Sequence, residues 1–349
     1  LKTNWGAAFQ IAAVYVGTVV GAGFATGREI VEFFSRFGIF GLLGVFIAGS
    51  ILTYMGSKLM RMAASIGAHS YEEMNVHLFG RFFGRIINVL MLFMLLGVCA
   101  VMLSGAGAVF EEQLGLTKSL GILVTIALSL GVMIVGLKGV FAVNTFVVPM
   151  MILFSLILFS LSVRLPGFFE QIVYIPYAED GWKAVIGPFS YTALNLSLAQ
   201  AVLVPVAAEI KDDQTVKWGG IIGGIALTVI LLSSHLTLIM LPGFDTFAIP
   251  MAVIMKQLAA GLYWIFVLIV YGEIFTSVIG NIYGLERQIQ KHLKLPSMLI
   301  VSFLFLICYF ISLIDYGTLL SFLYPVFGYI SLVFMVLLWM KPVHLQKRP

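Results

Sequence analysis

The 349 residues are 61% hydrophobic and 10% charged, with 29 phenylalanines and a net charge of only +4. A soluble chain of this length needs far more polar surface, so a soluble domain is excluded and an integral membrane protein is implied. Cys99 and Cys308 both fall inside apolar stretches, which argues against a disulfide framework.

A helix crossing the bilayer needs about 20 predominantly apolar residues. Ten runs meet that description, at 5–35, 38–62, 85–110, 118–137, 140–163, 183–209, 217–241, 259–286, 296–314 and 318–340. They are long and continuous, which excludes a β-barrel of short alternating strands. Residues 1–10 lead directly into the first run, so no cleavable leader is expected.

The first run carries the most informative feature, a glycine cluster within 16–29: Val16-Gly17-Thr18-Val19-Val20-Gly21-Ala22-Gly23-Phe24-Ala25-Thr26-Gly27-Arg28-Glu29. Each glycine weakens a helix by about 1 kcal/mol relative to alanine. In hydrocarbon, broken backbone is tolerated only where it is buried in protein or lines a cavity. The cluster is therefore a candidate binding site, against the plainer reading that small residues let helices pack closely. Its Gly21-x-Gly23-x-x-x-Gly27 spacing departs from a dinucleotide fingerprint by one residue and has no strand–helix context.

Between the second and third runs, Ser70-Tyr71-Glu72-Glu73 fits a capping box and predicts a short cytoplasmic helix ending at Gly80. The fifth run contains no charge, and the long outer connection 164–180 divides the chain after it. Runs one to five and six to ten then have opposite topology, the arithmetic of an inverted repeat, with halves 5–163 and 183–340 in one membrane domain spanning 1–349. The sixth run reads Gly187-Pro188-Phe189-Ser190-Tyr191-Thr192-Ala193-Leu194-Asn195-Leu196-Ser197-Leu198-Ala199-Gln200, a polar, proline-bearing interior that predicts a second broken helix. Residues 250–258 predict a second short helix on the outer side, before the eighth run.

In the eighth run Glu273, Thr276, Ser277 and Gly280 are spaced i, i+3, i+4 and i+7 and share one helical face. Two adjacent hydroxyls near unwound carbonyls offer hard oxygen ligands for a small cation. Glu273 reads as the only carboxylate deep within a span, where a charge costs roughly 3 kcal/mol or more, so a function or a buried partner such as Arg28 is expected. His235, in the seventh run, reads more readily as a packing histidine than as a ligand.

Loop charge sets orientation. With the N-terminus inside, fourteen of the twenty basic residues are cytoplasmic: Lys2, Lys58, Arg61, Arg81, Arg85, Lys138, Lys211, Lys217, Arg287, Lys291, Lys294, Lys341, Lys347 and Arg348. The outer loops carry Glu111, Glu112, Glu170, Glu179, Asp180 and Asp245. The positive-inside rule then places both termini in the cytoplasm of a multi-pass cell (inner) membrane protein.

On these motifs, Gly21-Ala22-Gly23-Phe24-Ala25 in the first run and Thr276-Ser277 in the eighth, the chain resembles the LeuT-fold, or amino acid–polyamine–organocation, superfamily, and within it the YkvI-like bacterial membrane proteins. The resemblance covers essentially the whole chain. It implies an all-α LeuT-type 5+5 inverted repeat of ten transmembrane helices with the first and sixth broken. It also implies a sodium ion between the first and eighth helices, held by the carbonyls of Gly17, Val20 and Glu273 and the hydroxyls of Thr276 and Ser277. Sodium-independent relatives often put a lysine from the fifth helix there, and this fifth run has none. Glu273 departs from the small residue commonly found at its position and leaves proton coupling open.

The implied substrate region is Gly21, Ala22, Gly23 and Phe24 facing Tyr191, Asn195 and Ser197, with Glu273 available to an amine. A half-helix N-terminus favours a carboxylate. The expected function is thus sodium-coupled symport of an amino acid or similar small solute by alternating access. A proton-coupled transporter, a nutrient sensor of the germinant-receptor type and a channel are the alternatives. No protease, phosphatase or nucleophile motif points to an enzyme, no cofactor beyond the coupling ion is expected, and the basic loops need no nucleic-acid partner.

Overall fold

The structure, a computed structural model, describes residues 3–135, 138–176, 181–210 and 212–343. Lys2, Glu179, Asp180, Lys211, Lys347 and Arg348, which entered the loop-charge reading, lie outside the described residues. Among those described, the chain forms helices and turns without strands. Hydrocarbon offers no water to backbone N–H and C=O groups, and helices satisfy them internally.

The helices are α1 (Trp5–Val19), α2 (Ala22–Thr26), α3 (Arg28–Phe33), α4 (Ile39–Ile66), α5 (Tyr71–Ala108), α6 (Lys118–Val135) and α7 (Lys138–Ser162). After them come α8 (Phe168–Ile172), α9 (Gly181–Glu209), α10 (Asp213–Leu238), α11 (Pro250–Leu258), α12 (Tyr263–His292), α13 (Ser297–Ser312) and α14 (Tyr316–Met340). Six of them, α4, α5, α9, α10, α12 and α14, are long and apolar enough to cross a membrane by themselves. Four shorter apolar stretches, of 10–17 residues, fall at the first, fourth, fifth and ninth expected spans.

Both short helices read from the sequence are present. Ser70 Oγ accepts the Glu73 N–H at 3.3 Å while Glu73 Oε2 accepts the His69 N–H at 2.9 Å, and Gly80 (φ 79°, ψ 173°) then bends α5. The second is α11, with Pro250 at its start, where the missing N–H costs no helical bond. The first span is broken as expected, into α1, α2 and α3.

The sixth is not. Helix α9 runs from Gly181 to Glu209 with Pro188 and Pro205 inside it. Its polar side chains turn back onto their own helix: Ser190 Oγ donates to the Gly187 carbonyl (3.1 Å), Thr192 Oγ1 to that of Pro188 (2.7 Å) and Asn195 Nδ2 to that of Tyr191 (3.0 Å). These three bonds satisfy carbonyls around Pro188, while Ser197 Oγ and the Gln200 amide are buried without a partner.

Two packed groups result. Helices α1, α4, α9 and α10 lie against one another, and so do α5, α6, α12 and α13. Helix α7 bridges α10 and α12, and α14 bridges α9 and α5. The broken first span straddles the divide, with α1 on α9 and α10 but α2 on α12 and α5.

Candidate functional site

The break sits on that divide. The Gly21 N–H turns to the Val19 carbonyl at 2.9 Å instead of to Gly17, and α2 begins its own ladder with the Ala25 N–H bonded to the Gly21 carbonyl. The carbonyls of Gly17 and Val20 are thus left outside both helical ladders. Gly27 (φ 83°) ends α2 in the left-handed region, which glycine enters without a steric penalty.

Helix α12 supplies the opposite wall. Glu273 and Thr276 are buried, and a β-carbon placed on Gly21 would stand 4.0 Å from Ser277 Oγ. Thr276 Oγ1 donates to the Glu273 carbonyl at 3.2 Å, which leaves its lone pairs for a ligand. Gly280, the last member of that face, is exposed and has open space beside it. The carbonyls, the hydroxyls and Glu273 are oxygen donors of the kind that coordinate small cations at broken helices.

The structure adds a residue that sequence reasoning missed. Glu29, 5% exposed, folds back from α3 towards the break. Its Oε1 accepts from Asn195 Nδ2 at 3.2 Å, and a β-carbon on Gly23 would lie 2.5 Å from its Oε2. Glu273, 3% exposed, is therefore not the only buried carboxylate; Glu29, Glu32 and Glu286 are buried too. Nor does Glu273 pair with Arg28. Arg28 Nη1 donates to the carbonyls of Asp245 and Phe247 and ties α3 to the connection between α10 and α11 instead. Glu273 Oε2 has no hydrogen-bond partner. The signal for Glu29 was available, an acid inside the same apolar run as the glycines.

Tyr191 and Asn195, one turn apart on α9, come to the break with Gly23 and Glu29. The Tyr191 ring is wedged edge-on against Phe33 and Phe34 (centroids 5.4 and 5.0 Å), and its hydroxyl is buried without a partner. Ala22 and Phe24 are buried in α2. Ser197 is buried as well, but two residues beyond Asn195 it is turned about 200° around the helix and belongs to another face. His235 Nδ1 lies 3.2 Å from Ser35 Oγ, which fits its packing role. Among the described residues no three His, Cys, Asp or Glu side chains gather as a metal site.

No model of a known protein family matches the chain. It is 51% identical over 335 residues to the membrane protein YkvI of Bacillus subtilis (strain 168), covering 96% of each chain. The chain belongs to the YkvI family. The protein YyaD of the same organism is 23% identical over 344 residues, 97% of this chain and 98% of YyaD. Among solved structures, a manganese transporter of Eremococcus coleocola matches with a TM-score of 0.66 at 17% identity, over 97% of this chain and 81% of the transporter. Its complex with an aromatic bis-isothiourea substituted compound gives 0.61. The chain thus shares the fold of that transporter.

Proposed function

We propose that this YkvI-family protein is a secondary active transporter of a small organic solute, an amino acid or similar zwitterion, coupled to sodium and working by alternating access. The observation that carries this reading is the break between α1 and α2, set at the divide between two helix groups and facing the hydroxyls of α12. Sodium bound by Gly17, Val20, Glu273, Thr276 and Ser277 would tie one group to the other, and the cargo would lie against Gly21 to Phe24, Tyr191 and Asn195, with Glu29 now added. Electrostatics favours a cargo bearing an ammonium, because the buried acid Glu29 stands at the break and Glu273 Oε2 on α12 is buried without a partner, while Arg28 is engaged elsewhere.

The packing also supports the LeuT-type 5+5 repeat of the amino acid–polyamine–organocation superfamily; the cytoplasmic termini rest on loop charge. Exchanging α1 with α9, α4 with α10, α5 with α12, α6 with α13 and α7 with α14 maps the α1–α10 contact onto α9–α4. It likewise maps α5–α6 onto α12–α13 and α7–α12 onto α14–α5. The continuous α9 departs from that pattern.

Uptake into proteoliposomes tests the reading, with labelled amino acids and amines under an inward sodium gradient against choline. Accumulation that needs sodium and is lost in Thr276→Ala/Ser277→Ala is the expected result. A second reading rests on the two buried carboxylates: accumulation driven by a proton gradient, indifferent to sodium and lost in Glu273→Gln or Glu29→Gln, would replace sodium with protons. Solute that equilibrates without accumulating under either gradient would sink both.

A further inference from the structure

Away from the break, on the outer flank of the α4–α10 pair, lies a groove of about 820 Å³. The two helices meet closely there: a β-carbon on Gly220 would lie 2.5 Å from Ser57 Cα. The floor carries hydroxyls, but their protons are already used. Ser50 Oγ donates to the Phe46 carbonyl, Thr53 Oγ1 to Gly49 and Thr228 Oγ1 to Gly224, each at 2.8 Å, and Ser57 Oγ donates to Lys217 at 3.2 Å. A floor so satisfied accepts hydrocarbon. The walls are apolar and exposed, with Phe46, Tyr54, Ile225 and Val229 between 49% and 58% accessible. From Phe46 to Arg61 the groove runs about 22 Å along α4 at 1.5 Å per residue, more than the depth of one leaflet of a hydrocarbon core about 30 Å thick.

The mouth is basic. Lys58, Arg61 and Lys217 line it. Asp213 is taken by Arg61 in a two-point pair at 2.8 and 3.0 Å, and Asp212 caps α10 through the Thr215 N–H at 3.0 Å. Lys58 Nζ donates once, to the Trp339 carbonyl at 2.6 Å, and an ammonium has two further protons to give. Among the described residues neither Lys58 nor Lys217 is held in an ion pair, so both ammoniums remain available to a phosphate. Trp339 is exposed, and Trp5 and Trp218, the latter beside Lys217, pack at 5.6 Å. Tryptophan gathers at the membrane–water interface, so these rings set the mouth at headgroup depth.

We propose that this groove binds an anionic phospholipid of the cytoplasmic leaflet, with its headgroup phosphate between Lys58 and Lys217 and an acyl chain along Tyr54, Ile225 and Phe46. Charge complementarity selects this occupant. The site goes beyond the transport reading and lies apart from the break, so it stands or falls independently of cargo and coupling.

Native mass spectrometry of the detergent-purified protein, titrated with phosphatidylglycerol or phosphatidylcholine, tests it. Phosphatidylglycerol is expected to bind more tightly. Lys58→Ala and Lys217→Ala should each weaken it about fivefold, while Lys294→Ala, a basic residue outside the groove, should not. Ser50→Trp, which fills the groove and keeps both lysines, should abolish the preference, with size-exclusion profile and helicity confirming the fold of every variant. Equal affinity for the two lipids, the same loss from Lys294→Ala, equal protection by inorganic phosphate alone, or a second copy of the chain filling the groove would each overturn the proposal.

Discussion

At position 23 the space for a side chain is taken by the carboxylate of Glu29. Gly23→Ala must displace it from Asn195, and overpacking of this kind costs about 1–3 kcal/mol. Thermal unfolding in detergent should show that loss, and the loss should shrink in a Glu29→Ala background; an equal loss in both would mean that Glu29 is not the obstacle. Glu29→Gln keeps an oxygen for Asn195 and removes an acid whose charge is costly in a membrane. It is expected to leave the melting temperature unchanged or higher while uptake is lost, and a clear drop in melting temperature would assign Glu29 a structural role. Glu29 was hard to read because Arg28-Glu29 looks like a pair of interfacial charges. Neighbours in a helix point about 100° apart; one reaches the α10–α11 connection and the other turns towards Asn195, which no linear spacing shows.

Among the elements, two left-handed glycines separate local from tertiary cost. A β-carbon added at Gly67 (φ 64°) would meet nothing within 4 Å, whereas one added at Gly27 (φ 83°) would lie 2.6 Å from Met251 Cγ on α11. Gly67→Ala should therefore cost only the conformational penalty of roughly 1–2 kcal/mol, and Gly27→Ala clearly more, by thermal unfolding; equal losses would mean that α11 yields freely. The N-cap of α10 adds a pH dependence. Hydrogen bonding from Thr215 holds the Asp212 carboxyl below its usual range. A depressed carboxylate stabilises above its unfolded value and loses that contribution as pH falls through its folded one. Asp212→Ala should thus lower stability by about 1 kcal/mol at neutral pH and by less as the acid range is entered; a gap between variant and parent that stays constant with pH would discount the charge. Capping boxes and a leading proline were legible because they act within a few residues. The continuity of α9 was not, because its prolines and hydroxyls permit either unwinding or back-bonding.

For the whole molecule, the divide between the α1–α4–α9–α10 and α5–α6–α12–α13 groups places the break where the sodium ion proposed above would touch both. Sodium in place of choline should then slow hydrogen exchange in 16–25 and 273–280 together, and Thr276→Ala/Ser277→Ala should remove the protection from both segments. Protection of one segment alone would mean that no ion bridges the groups.

Apolar run length, loop spacing and glycine content by themselves determined a helical membrane chain, a broken first span and the hydroxyl face of α12. All three are local: they follow from what hydrocarbon does to unpaired backbone and from side chains three or four residues apart. Only the tertiary structure decided that Glu29 joins Asn195 at the break, that Arg28 leaves Glu273 unpaired, that α9 stays continuous and that α4 and α10 enclose a basic-mouthed groove. All but the continuity of α9 depend on contacts between residues far apart in the chain, 166 positions for Glu29 and Asn195 and up to 219 for Arg28 and Phe247, and such contacts are set by how whole helices pack.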